Sequence, residues 1–163
     1  MTYAIVYTSN TGNTRMLAQR LQQQIQPEQL VYMGAPNDKA LEADMILAGF
    51  WTDKGSCDPE MAAFLSQLTG QQVFLFGTAG FGGEASYFET ILSAVKKNLP
   101  ETVKLVGQYM CQGKMPQAVR RRYEAMEESP RRQIMLDNFD RALSHPNEGD
   151  LTALEQAFGQ SQP

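Results

Sequence analysis

Short apolar segments alternate along this chain with segments of helical periodicity, and this alternation limits the possible folds most strongly. Five segments have the composition of strands, and they cover residues 3–8, 29–33, 45–49, 72–77 and 104–109. The first, third and fourth are apolar at nearly every position, which is typical of parallel strands that helices cover on both faces. Helical segments lie at residues 13–26, 38–43, 59–68 and 84–98, and a fifth begins near Pro116. The pattern predicts an α/β fold with a doubly wound, five-stranded parallel sheet.

Helix boundaries and a change in composition divide the chain further. Asp58 is predicted to cap a helix that begins at Pro59, and Gly70 to follow its end. Beyond the last strand, residues 130–143 have helical spacing, residues 146–149 interrupt it, and Asp150 is predicted to cap a final helix at 151–158. Residues 159–163 are expected to form a loose tail. We predict a single domain over residues 1–163, with a core of about 1–127 and a C-terminal helical extension of about 130–158.

Composition excludes several classes of function. With 42% hydrophobic and 20% charged residues, the chain has the composition of a soluble globular protein. Its formal net charge of −4 argues against a nucleic-acid partner, and its longest apolar stretches are too short to span a membrane. Two cysteines and one histidine are too few for a disulfide framework or a Cys/His metal site, so no metal is predicted. The beginning of the chain has no signal-peptide pattern, which predicts a cytoplasmic location.

A run of hydroxyl and amide side chains lies between the first strand and the first helix. Its residues are Ser9, Asn10, Thr11, Gly12, Asn13 and Thr14. The first turn of a helix has backbone N–H groups without partners and carries the positive end of the helix dipole, so it attracts anions. The hydroxyl and amide groups add neutral donors, and Gly12 lets the backbone approach a ligand. These features predict a phosphate site, and the alternative is an ordinary helix cap rich in serine and threonine.

This run resembles the phosphate loop of the flavodoxins, which holds the terminal phosphate of FMN. It lacks the Gly-Lys-Ser/Thr end of a Walker A loop, and it is not the Gly-x-Gly-x-x-Gly turn of dinucleotide-binding proteins. The resemblance covers about residues 1–109 and implies FMN as the cofactor and a sheet with strand order 2-1-3-4-5. Ligands of such sheets bind beyond the carboxyl ends of the strands, so the loops after the first, third and fourth strands form the predicted site.

The other two loops fit this interpretation. The loop after the third strand contains Trp51, the only tryptophan, which either stacks on a planar ring or packs on a helix, and Phe50 is a second stacking candidate. The loop after the fourth strand, residues 77–83, is rich in glycine, and the resemblance places its main-chain groups at the pyrimidine edge of the flavin. Many flavodoxins have a ring-stacking tyrosine in that loop, where this chain has Phe81. The predicted FMN contacts are those of the first loop together with Phe50, Trp51, Thr52, Asp53, Lys54, Gly55, Thr78, Ala79, Gly80, Phe81 and Gly82.

The segment after the fifth strand, residues 111–116, also lies at the carboxyl edge of the predicted sheet. Together with residues 50–55 and 77–83, it is similar to a subgroup of flavodoxin-like proteins that includes one encoded beside bacterial bilirubin reductase, which it is thought to assist. Cys111 is either a redox-active thiol or a small buried residue. Lys114 either offsets the charge of reduced flavin or lies in solvent. The arginines at 120–122, 131 and 132 form either a partner-docking patch or a solvated helix face.

Three functions follow from this interpretation. The first is an FMN-dependent electron carrier, with a flavin or iron–sulfur reductase as donor and a redox enzyme, such as a tetrapyrrole (bilirubin) reductase, as acceptor. The candidate loops contain no histidine, so no catalytic acid or base is predicted. The second is an FMN-dependent oxidoreductase that takes hydride from NAD(P)H. The third is a non-catalytic accessory protein that binds a partner through residues 111–143 and has weak or no affinity for FMN.

Overall fold

The fold is described by a computed structural model of the chain, which covers residues 1–82 and 84–163. Its strands are β1 (Tyr3–Tyr7), β2 (Leu30–Gly34), β3 (Met45–Asp53), β4 (Ser56–Cys57), β5 (Gln72–Ala79) and β6 (Lys104–Gln112). Its α-helices are α1 (Asn13–Gln22), α2 (Pro59–Ser66), α3 (Ala85–Lys96), α4 (Gln117–Glu124), α5 (Pro130–Ala142) and α6 (Glu148–Gln160). Short 3₁₀-helices, Pro27–Gln29 and Asp38–Glu42, precede β2 and β3. Within the described residues, none of the helices combines the length and apolar character needed to cross a bilayer.

The main sheet has the order β2-β1-β3-β5-β6, and all of its neighbouring strands are parallel. The predicted order 2-1-3-4-5, which counts only these five strands, is confirmed. The short β4 is a sixth strand, and it pairs antiparallel with the end of β3. Lys54 and Gly55 form the turn between them with φ of 51° and 82°, a conformation typical of tight hairpins. This hairpin could not be predicted from the sequence because a two-residue strand is too short to show a pattern.

Strands β3, β5 and β6 all continue beyond their predicted ends. Parallel pairing of β3 with β5 extends to Trp51 and Thr78, and that of β5 with β6 extends to Ala79 and Gln112. Residues 50–53 lie on a strand, although the sequence placed them in a loop, and its last two residues, Thr52 and Asp53, pair with β4. A strand continues while its backbone can form hydrogen bonds with a neighbouring strand. Polar side chains near its end do not prevent this pairing.

Helices cover both faces of the main sheet. On one face α1 and α6 pack together, and Leu21 and Phe158 are buried there. On the other face α2 and α3 contribute the buried side chains of Leu65 and Val95. This arrangement confirms the predicted doubly wound α/β fold. It also explains why β1, β3 and β5 are apolar at nearly every residue, because both of their faces are covered.

The C-terminal helices differ from the prediction in their boundaries. Helix α6 begins at Glu148, three residues before the predicted start, because Asn147 is the N-cap and Asp150 completes a capping box from within the helix. Helix α6 continues to Gln160, into the segment predicted as a tail, and Tyr3 Oη donates a 2.6 Å hydrogen bond to Gln162 Oε1 beyond it. Helix α6 contributes to the core of the sheet. The division of the chain near residue 127 stays a prediction.

Candidate functional site

A cavity of about 290 Å³ opens at the carboxyl edge of the main sheet. Its volume is near the lower end of the range of about 300–1,000 Å³ that is usual for small-molecule sites. The predicted contacts that line it are Ser9, Asn10, Thr11, Asn13, Thr14, Trp51, Thr52, Thr78, Ala79 and Gly80. The structure thus brings residues of all three predicted loops together where ligands bind in doubly wound sheets.

Gly12 shapes the phosphate loop between β1 and α1. It is the N-cap residue of α1 and has a φ of 91°, a left-handed conformation that glycine adopts without steric cost. Its N–H donates a 3.1 Å hydrogen bond to Ser9 Oγ, which closes the loop. The N–H groups of the following turn have no acceptor within the helix, and only that of Arg15 donates elsewhere among the described residues, to Ser9 Oγ at 3.4 Å. That turn contains no acidic residue. The start of α1 is therefore suited to an anion.

Two threonines tie the three loops to one another. The buried Thr14 hydroxyl donates a 3.1 Å hydrogen bond to the Phe50 carbonyl oxygen and lies 3.1 Å from Thr78 Oγ1. Because a hydroxyl has one proton, Thr14 donates to Phe50 while it accepts from Thr78. The Thr52 hydroxyl donates to the Thr78 carbonyl oxygen at 2.8 Å. These contacts hold the first and second loops against the third.

Thr11 and Asn13 contact the segment that follows β6. Asn13 Nδ2 donates a 2.8 Å hydrogen bond to the Lys114 carbonyl oxygen, and the Thr11 hydroxyl donates to the same oxygen at 3.4 Å. The chain itself thus uses these two predicted phosphate donors. Asn13 Oδ1 is buried and has no hydrogen-bond partner within the described residues. It is an acceptor that a ligand hydroxyl can satisfy.

Trp51 is the aromatic side chain of the cavity, whereas Phe50 belongs to the core. Trp51 is half-buried near the end of β3 and lines the cavity beside Thr52. Phe50 is fully buried, and its ring fills the space that a side chain on Gly77 would need. The ring of Phe50 is therefore not accessible to a ligand. Of the two stacking candidates, only Trp51 lines the cavity.

Other predicted contacts lie away from this cavity. They are Asp53, Lys54 and Gly55 at the β3–β4 hairpin and Phe81 and Gly82 in the third loop. Phe81 is 38% exposed and lines a separate surface depression. The structure therefore does not bring its ring to the cavity that contains Trp51. Gly83, the last residue of the predicted third loop, lies outside the described residues.

The remaining wall of the cavity comes from residues that were not among the predicted contacts. We call this segment, residues 113–122, the fourth wall; its lining residues are Gly113, Lys114, Met115, Pro116, Val119 and Arg122. Lys114 and Arg122 bring positive charge to a phosphate loop that has none of its own before Arg15. Arg122 thus lines the cavity, although its sequence context predicted either a docking patch or a solvated helix face. The position of this segment after the last strand was the sequence feature that could have identified it.

Cys111 is a buried residue in this fold. It is 3% exposed, and it is not among the described residues that line the cavity of Trp51. Burial raises the pKa of the Cys111 thiol above its ordinary value, and burial likewise raises the pKa of Cys57. Of the two interpretations left open by the sequence, these observations favour the small buried residue over the redox-active thiol.

We expect neither cysteine to react rapidly with a thiol reagent in the native protein. The thiolate is the reactive form, and a raised pKa keeps both thiols protonated at neutral pH. Labelling by a maleimide, followed by mass spectrometry, should be slow in buffer and complete for both thiols in urea. The Cys111→Ser variant identifies the site of each addition. Rapid labelling of Cys111 in the folded protein would contradict its assignment as a buried, unreactive residue.

Comparison with known proteins assigns the chain to a family. The flavodoxin domain matches residues 4–159, so the chain belongs to the flavodoxin family, as the phosphate loop predicted. Two similar proteins are called flavodoxin-like domain-containing protein BilS. The one from Clostridium symbiosum is 39% identical over 184 aligned positions, which cover 100% of this chain and 97% of the relative. The one from Clostridioides difficile is 29% identical, and the alignment covers 90% of this chain and 88% of the relative.

Solved structures share the fold. A flavoprotein from Lactobacillus acidophilus in complex with FMN has a TM-score of 0.51 and 14% identity, over 67% of this chain and 92% of its own. The two-electron reduced flavodoxin of Megasphaera elsdenii has a TM-score of 0.51 and 20% identity, over 86% of this chain and 100% of its own. At such low identity the likeness shows the fold alone.

Proposed function

We propose that this chain is a flavodoxin-like electron carrier that binds FMN in the cavity at the carboxyl edge of its sheet. One observation carries the proposal: a single cavity joins an open helix start, an accessible tryptophan and the glycine-rich loop after β5. The flavodoxin domain, and the FMN in the Lactobacillus structure of the same fold, support FMN as the cofactor. When bound, FMN supplies electron-transfer chemistry that amino-acid side chains lack.

The residues around the cavity fit the parts of FMN. The N–H groups in the first turn of α1 would bind the phosphate, and Lys114 and Arg122 would add positive charge. The unpaired Asn13 Oδ1 would accept a hydrogen bond from a hydroxyl of the ribityl chain. The half-buried indole of Trp51 offers a flat apolar face to the isoalloxazine ring. The hydrogen bonds within the loops hold these groups in place before a ligand arrives, which lowers the ordering cost of binding.

The chemistry of the lining favours a carrier over an enzyme with its own substrate. Among the described residues that line the cavity, Lys114 is a side chain that can exchange a proton, and no histidine, carboxylate, cysteine or tyrosine lies beside it. Enzymes that move protons at neutral pH usually place such a group beside the reacting atoms. An electron carrier needs none, because it has only to bind the flavin near its surface and exclude competing reactions.

We further propose that a flavin or iron–sulfur reductase supplies the electrons and that a tetrapyrrole (bilirubin) reductase accepts them. The support is the similarity of residues 50–55, 77–83 and 111–116 to the subgroup that includes a protein encoded beside bilirubin reductase. The two similar proteins called BilS are flavodoxin-like as well, and one of them covers this whole chain. The cytoplasmic location and the absence of a nucleic-acid partner stay predictions.

The first test is a titration of the apo protein with FMN, followed by flavin fluorescence and by Trp51 emission. Trp51 is the only tryptophan, so its emission reports on this cavity. We expect mutual quenching and a dissociation constant at or below about 1 μM, which corresponds to roughly −8 kcal/mol. An absence of binding would contradict both redox functions and favour the accessory protein.

A second measurement separates the electron carrier from an oxidoreductase. NADH or NADPH is added in excess to the FMN-loaded protein without oxygen, and the visible absorbance of the flavin is followed. We expect bleaching only after a small amount of a separate flavin reductase is added. Direct bleaching by either nucleotide would identify the chain as an oxidoreductase instead.

A further inference from the structure

Met115 of the fourth wall packs directly against the third loop. A Cβ atom added to Gly80 would lie 2.5 Å from Met115 Sδ, so the thioether occupies the space beside the Gly80 backbone. Both residues line the cavity that contains Trp51. Phe81, the aromatic residue of the third loop, lines a different depression. Met115 is therefore the longest apolar side chain that this part of the cavity offers to a flat ligand.

Two amide side chains, one from the end of β6 and one from α5, hold the backbone of Gly80. The Gly80 carbonyl oxygen accepts a 2.9 Å hydrogen bond from Gln112 Nε2 and a 3.2 Å hydrogen bond from Asn138 Nδ2. Gln112 Nε2 also donates to Asn138 Oδ1 at 3.0 Å. Asn138 belongs to α5 and is 4% exposed. Because a buried amide must satisfy its hydrogen bonds, this network restricts the positions that the third loop can take relative to α5.

The backbone on the N-terminal side of Met115 is held by three other parts of the chain. The Gly113 N–H donates to the Ala79 carbonyl oxygen at 2.9 Å, and the Lys114 N–H donates to the His145 carbonyl oxygen at 3.0 Å. The Lys114 carbonyl oxygen accepts from Asn13 of the phosphate loop. The third loop, the phosphate loop and the α5–α6 connection thus fix the place from which Met115 extends.

We propose that Met115 is a flavin-contacting residue and that Asn138 is a positioning residue that holds it through Gly80. The proposal rests on the FMN binding proposed above. A thioether is polarisable and makes favourable contacts with aromatic rings, so Met115 would cover a part of the isoalloxazine that Trp51 leaves open. The C-terminal helices then form part of the cofactor site in addition to any surface that they offer a partner.

A comparison of Met115→Ala with Met126→Ala tests the contact. Met126 is 39% exposed and is not among the described residues that line the cavity, so its variant controls for the loss of a methionine side chain. We expect Met115→Ala to raise the dissociation constant for FMN about tenfold and Met126→Ala to change it less than about twofold. The visible absorption band of bound FMN should shift in Met115→Ala and stay in place in Met126→Ala.

A double-mutant cycle tests the positioning role of Asn138. Asn138→Ala removes the hydrogen bonds to Gly80 and Gln112, and it should weaken FMN binding about fivefold to tenfold. Ile134→Ala, at a 64% exposed position of the same helix, is the control and should bind FMN like the wild type. In a Met115→Ala background, Asn138→Ala should weaken binding less than about twofold, because the side chain that it positions is gone. Additive losses would overturn the positioning role.

The folding of the variants and the FMN affinity of the wild type separate a failure of this inference from a failure of the proposed function. Thermal unfolding of each apo variant shows whether it folds, and if Asn138→Ala does not, the similarly sized Asn138→Leu replaces it, because it also lacks the hydrogen bonds to Gly80 and Gln112 but leaves no cavity. Wild-type protein that fails to bind FMN would contradict the proposed function itself. Wild-type protein that binds FMN, together with a Met115→Ala variant of unchanged affinity and spectrum, would overturn the present inference and leave the proposed function standing.

Discussion

The Phe50→Ala variant is expected to lose about 3–5 kcal/mol of its free energy of unfolding, the usual cost of deleting a buried phenylalanine ring. Phe50 is fully buried on β3 and pairs with Gly77 on β5, where a side chain would overlap its ring. The same arrangement recurs one residue earlier, where the Phe76 ring covers Gly49. Each ring fills space above a glycine, and that glycine has no side chain to occupy the cavity that the deletion would leave.

Urea unfolding of the apo protein, followed by circular dichroism, measures this loss. Phe81→Ala is the matched control, because Phe81 is exposed and its removal should change the free energy of unfolding by no more than about 0.5 kcal/mol. Phe50→Leu should retain more stability than Phe50→Ala and should bind FMN like the wild type. A Phe50→Leu variant that is stable but has lost its FMN affinity would show that Phe50 contacts the ligand and that its assignment to the core is wrong.

The sheet could be predicted from the sequence because three of its strands are covered on both faces and are therefore continuously apolar. The order of the strands came from the resemblance of the phosphate loop, since apolar runs alone leave the order open. The run from Met45 to Trp51 also could not show which aromatic residue faces the cavity. Neighbouring side chains on a strand lie on opposite faces, and the packing of the buried Phe50 ring over Gly77 of β5 assigns Phe50 to the core.

The candidate site could be predicted only in part, because some of its residues come together only through contacts between distant parts of the chain. The phosphate loop could be predicted because donor side chains occupy five of six consecutive positions, with Gly12 as the sixth residue, and need only the start of a helix beside them. The fourth wall depends on a contact between Asn13 and Lys114, which are 101 residues apart. Lys114 and Arg122 are charged residues of a kind that usually lies on a solvated surface. The packing of the segment after β6 brings them to the cavity. Local patterns therefore predicted an anion site and left the place of Lys114 open, but they did not predict that Arg122 lines the same cavity.

The Thr11→Asp variant is expected to bind FMN about 100-fold more weakly than the wild type, a loss of about 2.8 kcal/mol. Thr11 lines the cavity on the phosphate loop and is only partly buried, so the substitution leaves the core intact. A carboxylate about 4 Å from a phosphate charge is repelled by about 4 kcal/mol at an effective dielectric constant near 20, and salt screens part of this. The titration described for the wild type measures the loss.

Three controls separate charge repulsion from damage to the fold. Riboflavin has the ring and the ribityl chain of FMN without the phosphate, so Thr11→Asp should change its affinity less than about threefold. Thr11→Val removes the hydroxyl without adding a charge, and it should lose far less FMN affinity than Thr11→Asp. Thr69→Asp adds the same charge in the exposed turn after α2, away from the described lining of the cavity, and it should bind FMN like the wild type.

The affinities of the two ligands then locate the phosphate. If Thr11→Asp weakens the affinity for FMN but not that for riboflavin, and if the effect decreases at high salt, the result would place the phosphate charge beside Thr11 at the start of α1. Equal losses for FMN and riboflavin would mean that the substitution distorts the cavity as a whole. An unchanged FMN affinity would contradict the phosphate site. It would also remove the reason for the positive charge that Lys114 and Arg122 bring to the cavity.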